Sequence, residues 1–282
     1  MAAPAQTPQD ADASGLTPRE AIAAMRIRAP TRGNRRLERL LAAVNADDEV
    51  KAWWHVASLN ATRLGMSDHS WVHIQIVVNI ALRLSRLLLK RGVEPAIVSE
   101  HGLKPADAEV VIAAAALLHC VGMSVHRADH EAHSLFLAAP KLRELLGAAG
   151  YEDPDRAVLA SEALGAIIAH RRRGEPLTLE AGIVRVADAL DMAEGRSRIP
   201  FQTQRPNIHS LSAAAVESVE IKAGRRKAVR IDIAMTNSAG IFQVDELLAT
   251  KLRGSQLEEH VEVVARIEAE HERRLVPVFD IV

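Results

Sequence analysis

The residues best suited to chemistry in this chain are its histidines. There are 12 of them, against 8 phenylalanines, tryptophans and tyrosines together (4, 3 and 1). Neutral imidazole is the commonest side-chain ligand for transition metals, and histidine titrates near neutral pH. Position gives these residues meaning. His69 and His73 are four apart and share a face if both are helical. His119 ends the most apolar stretch, with Cys120 beside it, and His170 ends another helical run. His126, His130 and His133 are spaced four and three, again one helical face. Asp188 sits inside the apolar segment Ile183-Val184-Arg185-Val186-Ala187-Asp188-Ala189-Leu190. A carboxylate there is costly unless it is paired or bound to a metal. Each of these residues also has a plain reading, as a helix cap, a core hydrogen-bonding group or a solvent-facing acid. What the plain reading leaves unexplained is their recurrence at the ends of apolar helices.

The elements that must position these groups read as follows. Residues 1 to about 20 are rich in Ala, Pro, Gln, Thr, Asp and Ser, the composition of a disordered tail. A basic stretch with Arg26, Arg28, Arg32, Arg35, Arg36 and Arg39 follows, read as a solvated linker or helix entry. From 21 to 200 the pattern is helical. Leu37, Leu40, Leu41 and Val44 form an i, i+3, i+4, i+7 stripe. Further helices are expected over His73–Leu89, Asp107–His119, Arg156–His170 and Leu179–Glu194, the last closed by Gly195. Residues 201–282 change period. Val219, Ile221 and Ala223 alternate with polar residues, as do Val229, Ile231, Ile233 and Met235, with a turn at Gly224-Arg225-Arg226. Val244–Leu252 reads as a helix, Val261–Ile267 as a strand in preference to a helix, and Val278–Ile281 as a further strand. The expected fold is mainly α, a helical bundle with a small C-terminal α+β layer.

Composition narrows the function. The net charge of −1 argues against general nucleic-acid coating, which needs a broad basic surface. One cysteine excludes an intrachain disulfide framework. No apolar run approaches the roughly 20 residues that span a bilayer, and no basic region followed by an apolar one opens the chain. The expectation is a cytoplasmic protein with no membrane partner.

Three segments carry a resemblance. His73-Ile74-Gln75-Ile76-Val77, His119-Cys120-Val121-Gly122 and Ala187-Asp188-Ala189-Leu190-Asp191 resemble the HD superfamily of metal-dependent phosphohydrolases, over about residues 37 to 200. The stretches 125–131, 195–201 and 237–243 look like a subgroup of HD-domain proteins with a C-terminal α/β extension. The resemblance implies a divalent metal (Mn, Fe, Zn or Mg) with ligands from His73, His119, Cys120, His130, His170 and Asp188. It implies catalytic roles for His119 and Asp188, and a nucleotide or other small phosphate ester as substrate. His126 and His133 stand as alternatives. Arg127, Arg196 and Arg198 are the expected phosphate-binding groups, since guanidinium matches phosphate oxygens bidentately. Arg171, Arg172 and Arg173 are weaker candidates, as are the backbone amides after Asn237-Ser238-Ala239-Gly240.

Two positions depart from the pattern. Cys120 occupies the place of the Asp in the His-Asp pair, and Gly165 stands where the subgroup leads one to expect His. A thiolate suits Zn²⁺ or Fe and fits Mg²⁺ or Mn²⁺ poorly. These departures support a rival reading, a non-catalytic descendant that binds a metal or phosphorylated ligand as a regulatory or interaction module. Nucleic-acid binding through residues 26 to 39 is a third reading. The C-terminal layer is expected either to cover the pocket or to form the interface of a homo-oligomer.

Overall fold

The computed structural model describes residues 16–193, 208–267 and 278–280. Its organising element is the most apolar segment of the sequence. Helices α1 (Pro18–Ala24), α2 (Arg35–Ala46), α3 (Asp48–Leu64), α4 (Trp71–Lys90) and the one-turn α5 (Ala96–Ser99) precede it. It forms α6, Pro105–Leu118, with Pro105 in the first turn, and eleven of its fourteen residues are buried. A helix apolar all round must be surrounded, and α2, α4, α8 (Asp155–Ala169) and α9 (Leu179–Leu190) pack on it, with α7 (His130–Ala148) beside α8. Trp54 of α3 donates its indole N–H to the Leu117 carbonyl at 3.1 Å, fixing α3 against the end of α6. Burial of a large aliphatic side chain contributes about 1.5–3 kcal/mol. The fully buried leucines 37, 40, 82, 84, 88, 117 and 118 therefore supply much of the driving force.

All twelve residues of α9 are buried, including three charged ones. Glu180 accepts the Ala96 and Ile97 amides at 3.1 and 2.9 Å, capping the short helix α5. Arg185 donates to the carbonyls of Ala169, Arg171, Arg172 and Gly174 at and beyond the end of α8, and to those of Thr250 and Lys251. Asp188 serves the site described below.

The C-terminal part forms a four-stranded sheet in the order β1 (Val216–Ala223), β2 (Val229–Met235), β3 (Val261–Ile267), β4 (Val278–Asp280). The hairpin β1–β2 is antiparallel, with Ile221 opposite Ile231. β2 and β3 run parallel, with Ile231 opposite Val263, and β3–β4 is antiparallel. The crossover between the parallel strands carries a π-helix, Gln243–Ala249, and a short α-helical turn, Thr250–Leu252. Residues of the sheet and of the helical body join one hydrophobic cluster. Arg83 and Arg91, at and just past the C-terminal half of α4, donate to the carbonyls of Ile221 and Gly224, tying the hairpin to the body.

Several expectations need correction. The helix over Leu179–Glu194 stops at Leu190, and Glu194, Gly195 and the 200/201 boundary lie outside the described residues. The helix over Val244–Leu252 is mostly π-helical, a change of winding that hydrophobic periodicity does not register. Of the two readings of the basic stretch, helix entry holds: Asn34 caps α2 at Arg35, and although most of its arginines are exposed the stretch packs on the body. Met25 and Ile27 are buried, the Arg28 amide donates to Gln75, and Arg36 pairs with Asp107 at 2.9 Å while lying over the Tyr151 ring. Two helical segments, Trp71–Lys90 and Pro105–Ser124, are long and apolar enough to cross a membrane. Their apolar windows are 50% and 94% buried within the fold, as core helices are.

Candidate metal centre

The site begins with two helix ends built alike. His119 and His170 cap the C-termini of α6 and α8. The last carbonyls of a helix lack intrahelical partners. Each imidazole folds back on the carbonyl three residues earlier: His119 Nδ1 meets Ala116 O at 2.8 Å, and His170 Nδ1 meets Ile167 O at 2.5 Å. That bond places the proton on Nδ1 and leaves Nε2 facing away from the helix. This is the physical reason that histidines sit at the ends of apolar helices here.

His73 enters from the first turn of α4. Ser70 caps that helix, its Oγ accepting the Val72 amide, and Asp68 accepts both the amide and the hydroxyl of Ser70. His73 Nδ1 meets Asp191 Oδ2 at 2.6 Å, at the C-cap of α9. Its Nε2 then lies 3.2 Å from His119 Nε2 and 3.4 Å from Asp188 Oδ1. Asp188 Oδ1 is 3.7 Å from His119 Nε2, and its Oδ2 takes an ion pair from Lys251 Nζ.

Cys120 and His130 are brought together by a close backbone approach. A Cβ on Gly122 would lie 2.0 Å from His130 O and 2.4 Å from Ser134 N, so only glycine lets the 3₁₀ turn Val121–Ser124 touch the start of α7. Ser134 locks the contact, donating to His119 O and accepting from Gly122 N, both at 2.8 Å. His130 Nδ1 contacts Glu131 Oε2 at 3.1 Å and Arg127 at 2.8 Å. These two contacts require opposite roles of Nδ1. Donation from Nδ1 to Glu131 leaves Nε2 as the lone-pair nitrogen, the state a metal ligand requires.

The result is a closed circuit of imidazoles. Ring centroids are 5.5 Å apart for His69–His73, 5.2 Å for His73–His119, 4.9 Å for His119–His170, 5.5 Å for His170–His130 and 6.4 Å for His130–His69. Within it, three triads hold ligand atoms within 4.8 Å of one another: His73–His119–Cys120, Cys120–His130–His170 and His119–His170–Asp188. All six residues are buried. The electrostatics follow from this crowding. Burial pushes the Cys120 thiol up, but the charge of His119 and hydrogen bonds from His119, His130 and His170 outweigh it and hold the thiol well below its usual value. Burial opposes charging of His119 and His130, yet Cys120 with Asp188 or Glu131 raises both, His130 to about 9. His170 is lowered, burial dominating.

The donor set fits a divalent metal. Convergent imidazole nitrogens, a thiolate sulfur and a carboxylate oxygen are ligands for borderline-soft transition ions. Outer bonds from Nδ1 to a carbonyl or carboxylate are the support that metal-binding histidines receive. His73, His119, His130 and His170 each have one.

Thus the structure brings together the six residues expected to ligate a metal. His126 does not share the helical face of His130; it lies exposed in the turn before α7 and accepts the Ala128 amide. His133 belongs to none of the convergent groups found among the described residues. His69 precedes α4 instead of lying on it, yet joins the ring. Arg127 stands at the exposed edge, on His130. Arg172 pairs with Glu246 at 2.6 Å, and Arg171 and Arg173 are exposed. Arg196 and Arg198 lie outside the described residues. The Asn237 loop offers no open amide cradle, because Asn237 Oδ1 takes the Ala239 amide at 3.0 Å in a three-residue 3₁₀ turn. Gly165 lies on the exposed face of α8, where a Cβ would meet nothing within 4 Å. A histidine there would point to solvent, so its absence removes no ligand from the cluster. Sequence reasoning missed Asp191, Glu131, Arg185 and Lys251. Arg185 inside an apolar run and Asp191 at its end were the available signals; Glu131 and Lys251 carried none.

Comparison with known proteins agrees with this geometry. The HD-domain family model matches residues 67–193, the interval from Ser67 beside His69 to just past Asp191. An uncharacterized protein of Methanocaldococcus jannaschii, MJ1020, is 40% identical over 218 residues, covering 77% of this chain and 82% of its own length. No solved structure matches the chain. With the motif residues gathered at one buried centre and this similarity extending over most of the sequence, the chain belongs to the HD-domain superfamily.

Proposed function

We propose that this protein is a metal-dependent phosphohydrolase acting on a nucleotide or another small phosphate ester. The observation that supports it is the pair of ligand groups meeting at Cys120, His73–His119–Cys120 on one side and Cys120–His130–His170 on the other, with Asp188 beside His119 and His170. Zn²⁺ or Fe suits this set best, because a thiolate is softer than the carboxylate it replaces; Mn²⁺ and Mg²⁺ are the harder alternatives. Bound there, the metal supplies Lewis acidity for activating water at neutral pH.

The chain's own residues have separable tasks. Asp191, Glu131 and the helix-end carbonyls hold the imidazoles with Nε2 inward. Asp188 Oδ1 and His119 Nε2, facing one another, would hold the metal and so help orient the attacking water. Arg127, beside His130 at the open edge, neutralises phosphate oxygens, and Arg196 and Arg198 are assigned the same task. Burial of the cluster excludes bulk water and strengthens each of these interactions. The protein is assigned to the cytoplasm.

A second reading follows from one residue. With Cys120 in place of the usual Asp, the centre binds a metal or a phosphorylated ligand without turnover, as a regulatory or interaction module. Elemental analysis of protein purified without chelator, followed by a screen of phosphate esters with Zn²⁺, Fe²⁺, Mn²⁺ and Mg²⁺, separates the two. Bound metal with ester hydrolysis supports the enzyme. Bound metal without hydrolysis, with activity gained on Cys120→Asp, supports the regulatory module. Protein that takes up none of these metals overturns the enzyme and leaves the non-catalytic module, binding a phosphorylated ligand without metal.

A further inference from the structure

We propose that Lys251 is a positioning residue of the metal centre, through which the C-terminal segment completes a site whose ligands all come from the helical body. The inference rests on the metal-centre reading above and concerns a residue beyond the family match, which ends at 193.

The two oxygens of Asp188 face different partners. Oδ1 faces His73 Nε2 and His119 Nε2 at 3.4 and 3.7 Å, while Oδ2 is held by Lys251 Nζ in a short ion pair. The pair is well shielded, with the Lys251 side chain 13% and that of Asp188 10% exposed. A lysine left to itself extends its ammonium into water. Turning it inward requires a fixed backbone, and α9 provides one. Gly182 lets the chain at Ser255 approach so closely that a Cβ would lie 1.8 Å from Ser255 O. One turn on, Arg185 donates to Lys251 O at 2.9 Å and Thr250 O at 3.2 Å. One turn further, Asp188 receives the lysine side chain. The π-helix Gln243–Ala249 gives way to α-helical winding at Thr250, one residue before Lys251. With Oδ2 pinned, the carboxylate is held with Oδ1 alone toward the imidazoles. Partners that orient a ligating side chain change metal affinity by about 10–100-fold.

The test uses the full-length protein, loaded with Zn²⁺ or Fe²⁺ and dialysed against graded chelator, with metal per chain as the readout. Lys251→Met is expected to release metal at about 10–100-fold lower chelator activity than the parent. Lys251→Arg, which restores a cation, is expected to recover most of the loss. In an Asp188→Asn background, Lys251→Met is expected to add nothing, because the lysine acts through that carboxylate. Thermal midpoints of the metal-free proteins check the fold, and Lys251→Gln replaces Lys251→Met if the latter fails to fold. Metal retention equal to the parent, or the same loss with and without Asp188, overturns the role of Lys251 and leaves the metal centre standing. A parent that holds no metal overturns the centre itself, and this inference with it.

Discussion

The buried imidazole circuit and the ion-pair network on the sheet are both dense in ionisable groups, and their difference shows what marks a site. On the sheet, Asp232 takes Arg230 at 2.8 Å, Lys222 at 2.6 Å and Arg266 at 3.1 Å, while Arg230 also reaches Glu262 at 2.9 Å. Opposite charges there face one another, and their cations remain partly in water. The arrangement is satisfied as it stands. Around Cys120 the reverse holds. The outer nitrogens are bonded to carbonyls and carboxylates, and the inner nitrogens, sulfur and oxygen point at each other. Convergent lone pairs in a buried space repel unless a cation or a proton lies between them. Abundance of charge is common to both regions; convergence of donors away from water belongs to one.

That comparison can be broken or sharpened by substitution. The largest effect is expected from His119→Ala, which removes a group shared by two of the three ligand triads. Metal content should fall to background and ester hydrolysis with it. Chelation of the parent should lower its thermal midpoint, since a ligand at 100 times its dissociation constant stabilises by about 2.7 kcal/mol. His119→Ala should show no such response to chelator; a full metal complement in this variant would show that the convergence is not a ligand set.

Next comes Gly182→Ala, whose Cβ cannot fit against Ser255. Overpacking of this kind costs about 1–3 kcal/mol. Denaturant unfolding should report that loss, and metal affinity should fall as well, because the same contact holds the chain that delivers Lys251. Stability lost with metal affinity untouched would separate the sheet region from the site.

Asp232→Asn tests the self-sufficient network. Its hydrogen bonds to Arg230 and ion pairs with Lys222 and Arg266 outweigh burial and hold the Asp232 carboxyl below its usual value of 3.8. Because the folded-state value is the lower one, the stabilisation is full above about 3.8 and is lost as pH falls through the folded value. The substitution should therefore cost about 1 kcal/mol at pH 7, allowing for solvent screening, and less and less below pH 4. Metal content should stay at the parental level. A cost independent of pH would assign the effect to packing instead of charge.

The smallest effect is expected from Gly165→Ala. On the exposed face of α8, alanine should add about 0.5–1 kcal/mol through helix propensity, with metal affinity unchanged. A change in metal affinity would return Gly165 to the site.

Much of this protein was legible in its sequence. Apolar residues at helical spacing gave α2, α4 and α8, and period-two alternation gave β1 to β3, because one face of each must leave water; α6 and α9 read as apolar runs buried on every side. His119, His170 and Asp188 were legible because polar groups at the ends of, or inside, apolar helices need a stated partner. What the spacing could not supply was convergence. His73 and Asp191 are 118 residues apart, and Asp188 and Lys251 are 63 apart. Such pairs meet only when α4, α9 and the crossover before β3 have packed. Local pattern specifies which face of an element is buried and leaves open what lies opposite that face. The tertiary structure decided that Gly165 faces water, that Gly122 brings Cys120 to His130, and that a lysine from the C-terminal segment holds Asp188. Each of these depends on close packing between elements distant in the chain.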